Sequence, residues 1–154
     1  ADRPNRYDEV ANFMLTATMA LNGFIAMGVP QDWATHMIGH ELTALHGLDH
    51  GVTLAIVYPG MMKVMRREKF DKLVQYAERV WGVTGSPEQK AEAAIGKTDA
   101  FFRSLGVKTR LSEHGIGEQT VDFIVERFRK RGWNLGESGK VTPERVAEIL
   151  HDRM

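Results

Sequence analysis

Four of the six histidines in this chain fall within one short segment, His36-Met-Ile-Gly-His40-Glu-Leu-Thr-Ala-Leu-His46-Gly-Leu-Asp-His50-Gly51. Imidazole is the commonest protein ligand for borderline divalent metals, and spacing decides whether several rings can reach one ion. Helical residues four apart share a face, with Cβ atoms about 5–6 Å apart, so His36 and His40 are expected to point the same way. Asp32 precedes His36 by the same step, and an Asp32, His36, His40 ladder would carry three ligands on one helix. His46 and His50 repeat the spacing across Gly47, where the chain is expected to turn over and let His50 swing back toward His36. The bland reading of one such pair is a solvated helix face, and for Asp32 it is a helix cap. Four histidines in one segment, followed by the most apolar run of the chain, favour a metal. His114 and His151 carry no such signal. A zinc-peptidase pattern is excluded, because His40-Glu41 would need a second histidine at 44, where Ala44 stands.

Composition narrows the chemistry further. The chain has 154 residues, 43% of them apolar, enough for one ordinary domain with a core. Lys plus Arg and Asp plus Glu both number 20, so no net charge draws the molecule toward nucleic acid or anionic lipid, and neither is expected as a partner. With no cysteine, disulfides, thiolate nucleophiles and sulfur-ligated metals are excluded, which fits a cytoplasmic protein. Any metal must sit on histidine and carboxylate. No apolar run reaches the roughly 18–20 residues of a membrane span, and residues 1–15 lack the plan of a signal peptide, so the chain reads as soluble. It opens on Ala1-Asp2-Arg3-Pro4 with no initiator Met, as a chain would from which a tag had been removed or which more protein once preceded.

The elements that must hold these side chains read as helices throughout: apolar positions recur at helical spacing and no strand alternation is sustained. The expected fold is an all-α, multi-helix bundle. A first helix is expected from about Asn5 to Met27, with Val10, Phe13, Met14, Ala17, Leu21 and Phe24 as its apolar stripe. A second opens near Asp32, carries His36 and His40, and gives out between Leu45 and Gly47. A third runs from Val52 to about Arg66; its opening Val-Thr-Leu-Ala-Ile-Val-Tyr is β-rich by propensity, but Pro59 and the Met-rich continuation favour a buried helix. Further helices are expected at Phe70–Trp81, Pro87–Leu105, Gly117–Arg131 and Pro143–Arg153. Ser86-Pro87 and Thr142-Pro143 pair an N-cap with an N1 proline, and Gly106 suits a helix end. Residues 132–141, polar and glycine-rich, form the segment expected to be most mobile.

The stretch Gln31-Asp32-Trp33-Ala34-Thr35-His36-Met37-Ile38-Gly39-His40, continuing to His50-Gly51, resembles the signature of the iron-containing (group III) alcohol dehydrogenases, His-x3-His, nine residues, then His-Gly. The likeness is nearest to the butanol dehydrogenase and broad aldehyde reductase branch. It extends through Leu54-Ala55-Ile56-Val57-Tyr58-Pro59, Tyr76-Ala77-Glu78-Arg79-Val80-Trp81 and the helix end at Phe101-Phe102 and Leu105-Gly106-Val107.

That resemblance implies a set of roles. His36 and His50 would bind a divalent metal, iron or zinc, and His40 would stand beside the metal and the nicotinamide as the catalytic group that handles a proton. His46, which belongs to the nearer branch and not to the general signature, would support the ligands from behind or be structural. Asp32 does not match the family's ligating aspartate, which comes with a further histidine from an Asp-x3-His helix nearer the N-terminus, with no counterpart here. The resemblance also implies NAD or NADP as cofactor, an alcohol or aldehyde as substrate, and a fold that corresponds to the family's C-terminal helical domain. The dinucleotide-binding N-terminal domain, with its glycine-rich phosphate turn, is absent from this chain. The isolated chain is therefore expected to be inactive, and a homodimer is one assembly open to the full-length enzyme. A rival from another class is a free-standing helical metal-binding or interaction module closed by Asp32, His36, His40 and His50.

Overall fold

The computed structural model describes residues 6–154, which form seven α-helices and two short 3-10 turns with no strand among them. The chain divides into two compact units, residues 1–31 and 32–154.

The first unit holds α1, Tyr7–Leu21, and a 3-10 turn at Phe24–Ala26. Its helix is shorter than the apolar stripe suggests, and the expected start at Asn5 lies outside the described residues. Local chemistry stops it: Gly23 takes a left-handed φ of 83°, and the Asn22 side-chain oxygen accepts the Phe24 N–H at 2.9 Å. Asparagine offers the backbone an alternative to the helical bond, and glycine takes the left-handed turn without steric cost. Val10, Phe13, Met14, Leu21 and Phe24 are all exposed.

The second unit is a bundle of six helices: α2 (Ala34–His46), α3 (His50–Val64), α4 (Phe70–Arg79), α5 (Pro87–Ser104), α6 (Glu118–Arg131) and α7 (Pro143–Asp152). The start signals in the sequence are realised as geometry. Ser86 and Gln89 form a reciprocal capping box, with Gln89 N–H donating to Ser86 Oγ at 3.3 Å and Ser86 N–H to Gln89 Oε1 at 3.0 Å. Thr142 accepts the N–H of Arg145, and Gly106 takes a φ of 80° just after α5.

The β-rich run is a helix, as Pro59 and the methionines argued. It is also the central one, packing against α2, α5 and α7. Ile56, Val57, Pro59, Gly60, Met61 and Met62 are all buried, and burial on several sides is why the run lacks amphipathic alternation. Two cores meet along it. One joins Ile38 and Leu42 of α2 to Ile56, Met61, Ile124, Phe128 and Ile149, and the other joins Met62 to Leu73, Ala77, Ala91 and Ala94. Gly60 lets α7 approach, because a Cβ there would lie 2.9 Å from the backbone oxygen of Ile149.

The segment 132–141 has two anchors that its composition does not announce. Leu135 and Val141 form an isolated antiparallel bridge, and Glu137 reaches Lys69 Nζ at 2.9 Å.

Candidate metal centre

α2 divides its side chains between two faces. Ala34, Ile38, Glu41 and Leu42 are buried, whereas His36 and His40 lie one turn apart on the opposite side. Gly47, at a left-handed φ of 67°, ends the helix and donates its N–H to Thr43 O at 2.8 Å. After two linking residues His50 opens α3. The reversal thus occurs over Gly47, Leu48 and Asp49, and α3 begins two residues earlier than its propensity suggests, so His50 is fixed by a helix instead of a turn.

The crossing of α2 and α3 sets the distance between the rings. Gly39 and Thr53 are both buried, and a Cβ on Gly39 would come within 2.9 Å of Thr53 Oγ1. That hydroxyl donates to the carbonyl of His50 at 2.9 Å, which ties the contact to the first turn of α3. The result is a convergence: His36 Nδ1 lies 3.1 Å from His50 Nε2, and ligand atoms of His36, His40 and His50 all fall within 4.8 Å of one another. Ring centroids are 5.1 Å apart for both His36 with His50 and His40 with His50, and 6.3 Å for His36 with His40. Two imidazole nitrogens each about 2.0–2.1 Å from one ion would span a separation of this size. Partial burial, with His50 and His40 beside it, holds the His36 imidazole below the usual histidine range, which favours the neutral form that ligates metal. The donor set therefore fits a borderline divalent ion.

The other candidates lie elsewhere. His46 Nε2 is 2.9 Å from Thr120 Oγ1 on α6. The Asp32 carboxylate meets Lys69 Nζ at 2.6 Å and accepts the Ala34 N–H at 2.8 Å, as a helix-entry acid does. Burial pushes its carboxyl up, but the hydrogen bonds and charge around it, Lys69 included, more than reverse this and keep it below the usual range. Asp32 is thus absent from the histidine cluster, and the self-contained four-ligand site loses its carboxylate. Glu41, beside His40 in sequence, points into the bundle and pairs with Arg131 at 2.7 Å and Arg127 at 3.1 Å. His114 and His151 contact Lys108 O and Glu118 respectively. Trp33, which sequence reasoning passed over, has its ring centroid 4.9 Å from that of His36 and walls the cluster on that side; no local signal marks it.

Comparison with known proteins gives a concordant result. Residues 2–154 match the family model described as "Fe-containing alcohol dehydrogenase family, C-terminal". The chain is 51% identical to the NADPH-dependent aldehyde reductase YqhD of Escherichia coli over 90% of its own length and 36% of that protein's. Against a crystal structure of YqhD the TM-score is 0.93, covering 99% of this chain and 40% of that one. Against NADH-dependent butanol dehydrogenase A of Thermotoga maritima it is 0.89 at 32% identity, covering 98% and 40%. An NADP-dependent alcohol dehydrogenase 3 of Entamoeba histolytica is 42% identical, over 95% of this chain and 37% of its own length. The chain thus spans well under half the length of these relatives.

Proposed function

This chain belongs to the Fe-containing alcohol dehydrogenase family, and on that premise we propose that it is the helical, metal-holding part of an NAD(P)-dependent alcohol dehydrogenase or aldehyde reductase. The observation that carries the proposal is the convergence of His36, His40 and His50 from two helices, with His36 Nδ1 and His50 Nε2 at 3.1 Å. The relatives' names support the reaction class, an alcohol or aldehyde exchanging hydride with NADPH or NADH.

A bound divalent ion supplies Lewis acidity toward an alcohol or carbonyl oxygen, and the nicotinamide supplies or takes the hydride. His36 and His50 would hold the ion, with His36 Nδ1 and His50 Nε2 the two nitrogens that face each other. Neutral imidazole is required for that role, and the depressed basicity of His36 provides it. His40 is exposed and its ring stands 5.1 Å from that of His50. Open to bulk water beside the ion-holding pair, it would carry the proton that must leave when an alcohol is oxidised and return when an aldehyde is reduced. The remaining ligands and the dinucleotide site come from an N-terminal part of the kind that the relatives' greater length accommodates. Hydride transfer needs the nicotinamide held against the reacting carbon, and this chain by itself is therefore inactive.

The test is steady-state kinetics with metal analysis on the protein joined to its nucleotide-binding part. His36→Ala and His50→Ala should lose metal and turnover together. His40→Ala should keep the metal and lose about 10²–10⁴-fold in rate, the usual worth of a positioned acid or base. Full turnover in His50→Ala, with metal still bound, would overturn the assignment.

A further inference from the structure

Two cavities adjoin along one face of α3, of about 390 Å3 beside His36 and about 440 Å3 further on, with Asp32, Thr35 and Tyr58 in the walls of both. The floor is a single helical stripe. Gly51, Leu54, Ala55 and Tyr58 line the first cavity, and Tyr58, Met61 and Met62 continue into the second. Eleven residues separate Gly51 from Met62, which at 1.5 Å per residue makes the trough about 16 Å long. Phe102 of α5 walls the first cavity and Tyr76 of α4 the second. A run of aromatic contacts joins these walls, Tyr76 to Trp81 at 6.0 Å, Trp81 to Phe101 at 6.0 Å and Phe101 to Phe102 at 5.9 Å.

The two ends of this apolar trough differ in chemistry. One end is His36. The other carries three cations on α4 and its approach, Lys69, Lys72 and Arg79. Lys69 is already neutralised by Asp32 at 2.6 Å and Glu137 at 2.9 Å. Lys72 donates only to the Gln75 amide oxygen, and among the described residues neither Lys72 nor Arg79 forms an ion pair. A hydrocarbon wall ending in two uncompensated cations suits a ligand with an apolar middle and an anionic end.

The geometry points to a substrate-tail site: the trough takes the hydrocarbon chain of a medium-chain ω-hydroxy or ω-oxo acid, with its alcohol or aldehyde at His36 and its carboxylate at Lys72 and Arg79. This deepens the dehydrogenase reading and rests on it for the reacting end, whereas binding of the tail requires neither metal nor nucleotide. Tyr58, common to both cavities, and Leu54 would set the length and width of chain accepted.

The test is amide NMR titration of this 154-residue chain with ω-hydroxydecanoate, decanol and ω-aminodecanol. The expected result is saturable shifts at Leu54, Tyr58, Leu73 and Gln75, with the acid bound most tightly and the amine least. The double variant Lys72→Ala, Arg79→Ala should weaken the acid about tenfold, a loss of about 1.4 kcal/mol, to the level of decanol, and leave decanol unchanged. Leu54→Trp, which fills the floor, should weaken all three. Equal binding of the three ligands, shifts confined to the exposed apolar residues of α1, or no saturable binding would overturn the proposal. Such a result with metal binding and turnover intact in the longer protein would leave the dehydrogenase reading standing. Loss of that reading would leave a selective tail site measurable here.

Discussion

Gly39 and Thr53 meet where α2 crosses α3, so closely that a Cβ on Gly39 would stand 2.9 Å from the Thr53 hydroxyl. Gly39 sits between His36 and His40, and Thr53 lies one turn after His50. The contact therefore controls how near the two ligand-bearing helices come.

Gly39→Ala should push these helices apart, because Thr53 is buried and its hydroxyl is committed to the His50 carbonyl. The expected cost is about 1–3 kcal/mol, typical of overpacking. The gain from replacing glycine in a helix, about 1 kcal/mol, offsets part of it. Zinc affinity should fall more than stability does, which separates a displaced His36–His50 pair from general loosening. Chemical denaturation and zinc calorimetry on the variant measure the two effects.

Zinc should bind the isolated chain weakly, with a Kd above about 1 μM, since the two imidazoles of His36 and His50 supply fewer donors than the four of a closed site. His36→Ala and His50→Ala should abolish the calorimetric signal. Asp32→Asn and His46→Ala should leave it unchanged, because Asp32 is spent on Lys69 and His46 on Thr120. Submicromolar affinity lost in Asp32→Asn would revive the self-contained site.

Glu41→Gln should destabilise the fold without altering zinc binding. Glu41 is 7% exposed, and its carboxylate holds Arg127 and Arg131. Replacing charged hydrogen bonds with neutral ones at that depth costs about 1–3 kcal/mol. A urea melt reads the loss, and calorimetry confirms that the neighbouring His40 is undisturbed.

Acid should erode the contact between α5 and the C-terminal residues. Burial pulls the Asp99 carboxyl up, but Thr109 beside it and Arg153 at 2.7 Å, with Arg103, outweigh this, and the group ends below its ordinary value. A carboxyl lowered on folding contributes stability that is complete above its unfolded pKa of about 3.9 and is lost as pH falls through the folded value. Asp99→Asn should therefore cost about 2 kcal/mol at neutral pH, the worth of a hydrogen bond to a charged group. The gap between wild type and variant should close below about pH 3.9. Thermal melts across pH 2–7 check both the size and the sign.

What the sequence by itself determined is whatever depends on groups within about one helical turn. The Ser86 and Thr142 starts, the α5 end before Gly106 and the shared face of His36 and His40 all follow from hydrogen bonds and periodicities of three or four residues. The helical state of the β-rich run followed from Pro59 and its methionines, although propensity pointed the other way. α1 shows the limit of that reading, because its apolar stripe continues past the point where Asn22 and Gly23 break the helix.

Only the tertiary structure decided which spaced ligands converge. His36 and His50 are 14 residues apart, and their 3.1 Å separation depends on a helix crossing that one glycine permits. Asp32 fits the ladder by spacing, yet Lys69 and the Ala34 N–H claim its carboxylate. Glu41 turns inward because Arg131, 90 residues away, folds against it. Partners that distant are selected by packing and by the cost of burying an unpaired charge, neither of which leaves a periodic mark in the chain.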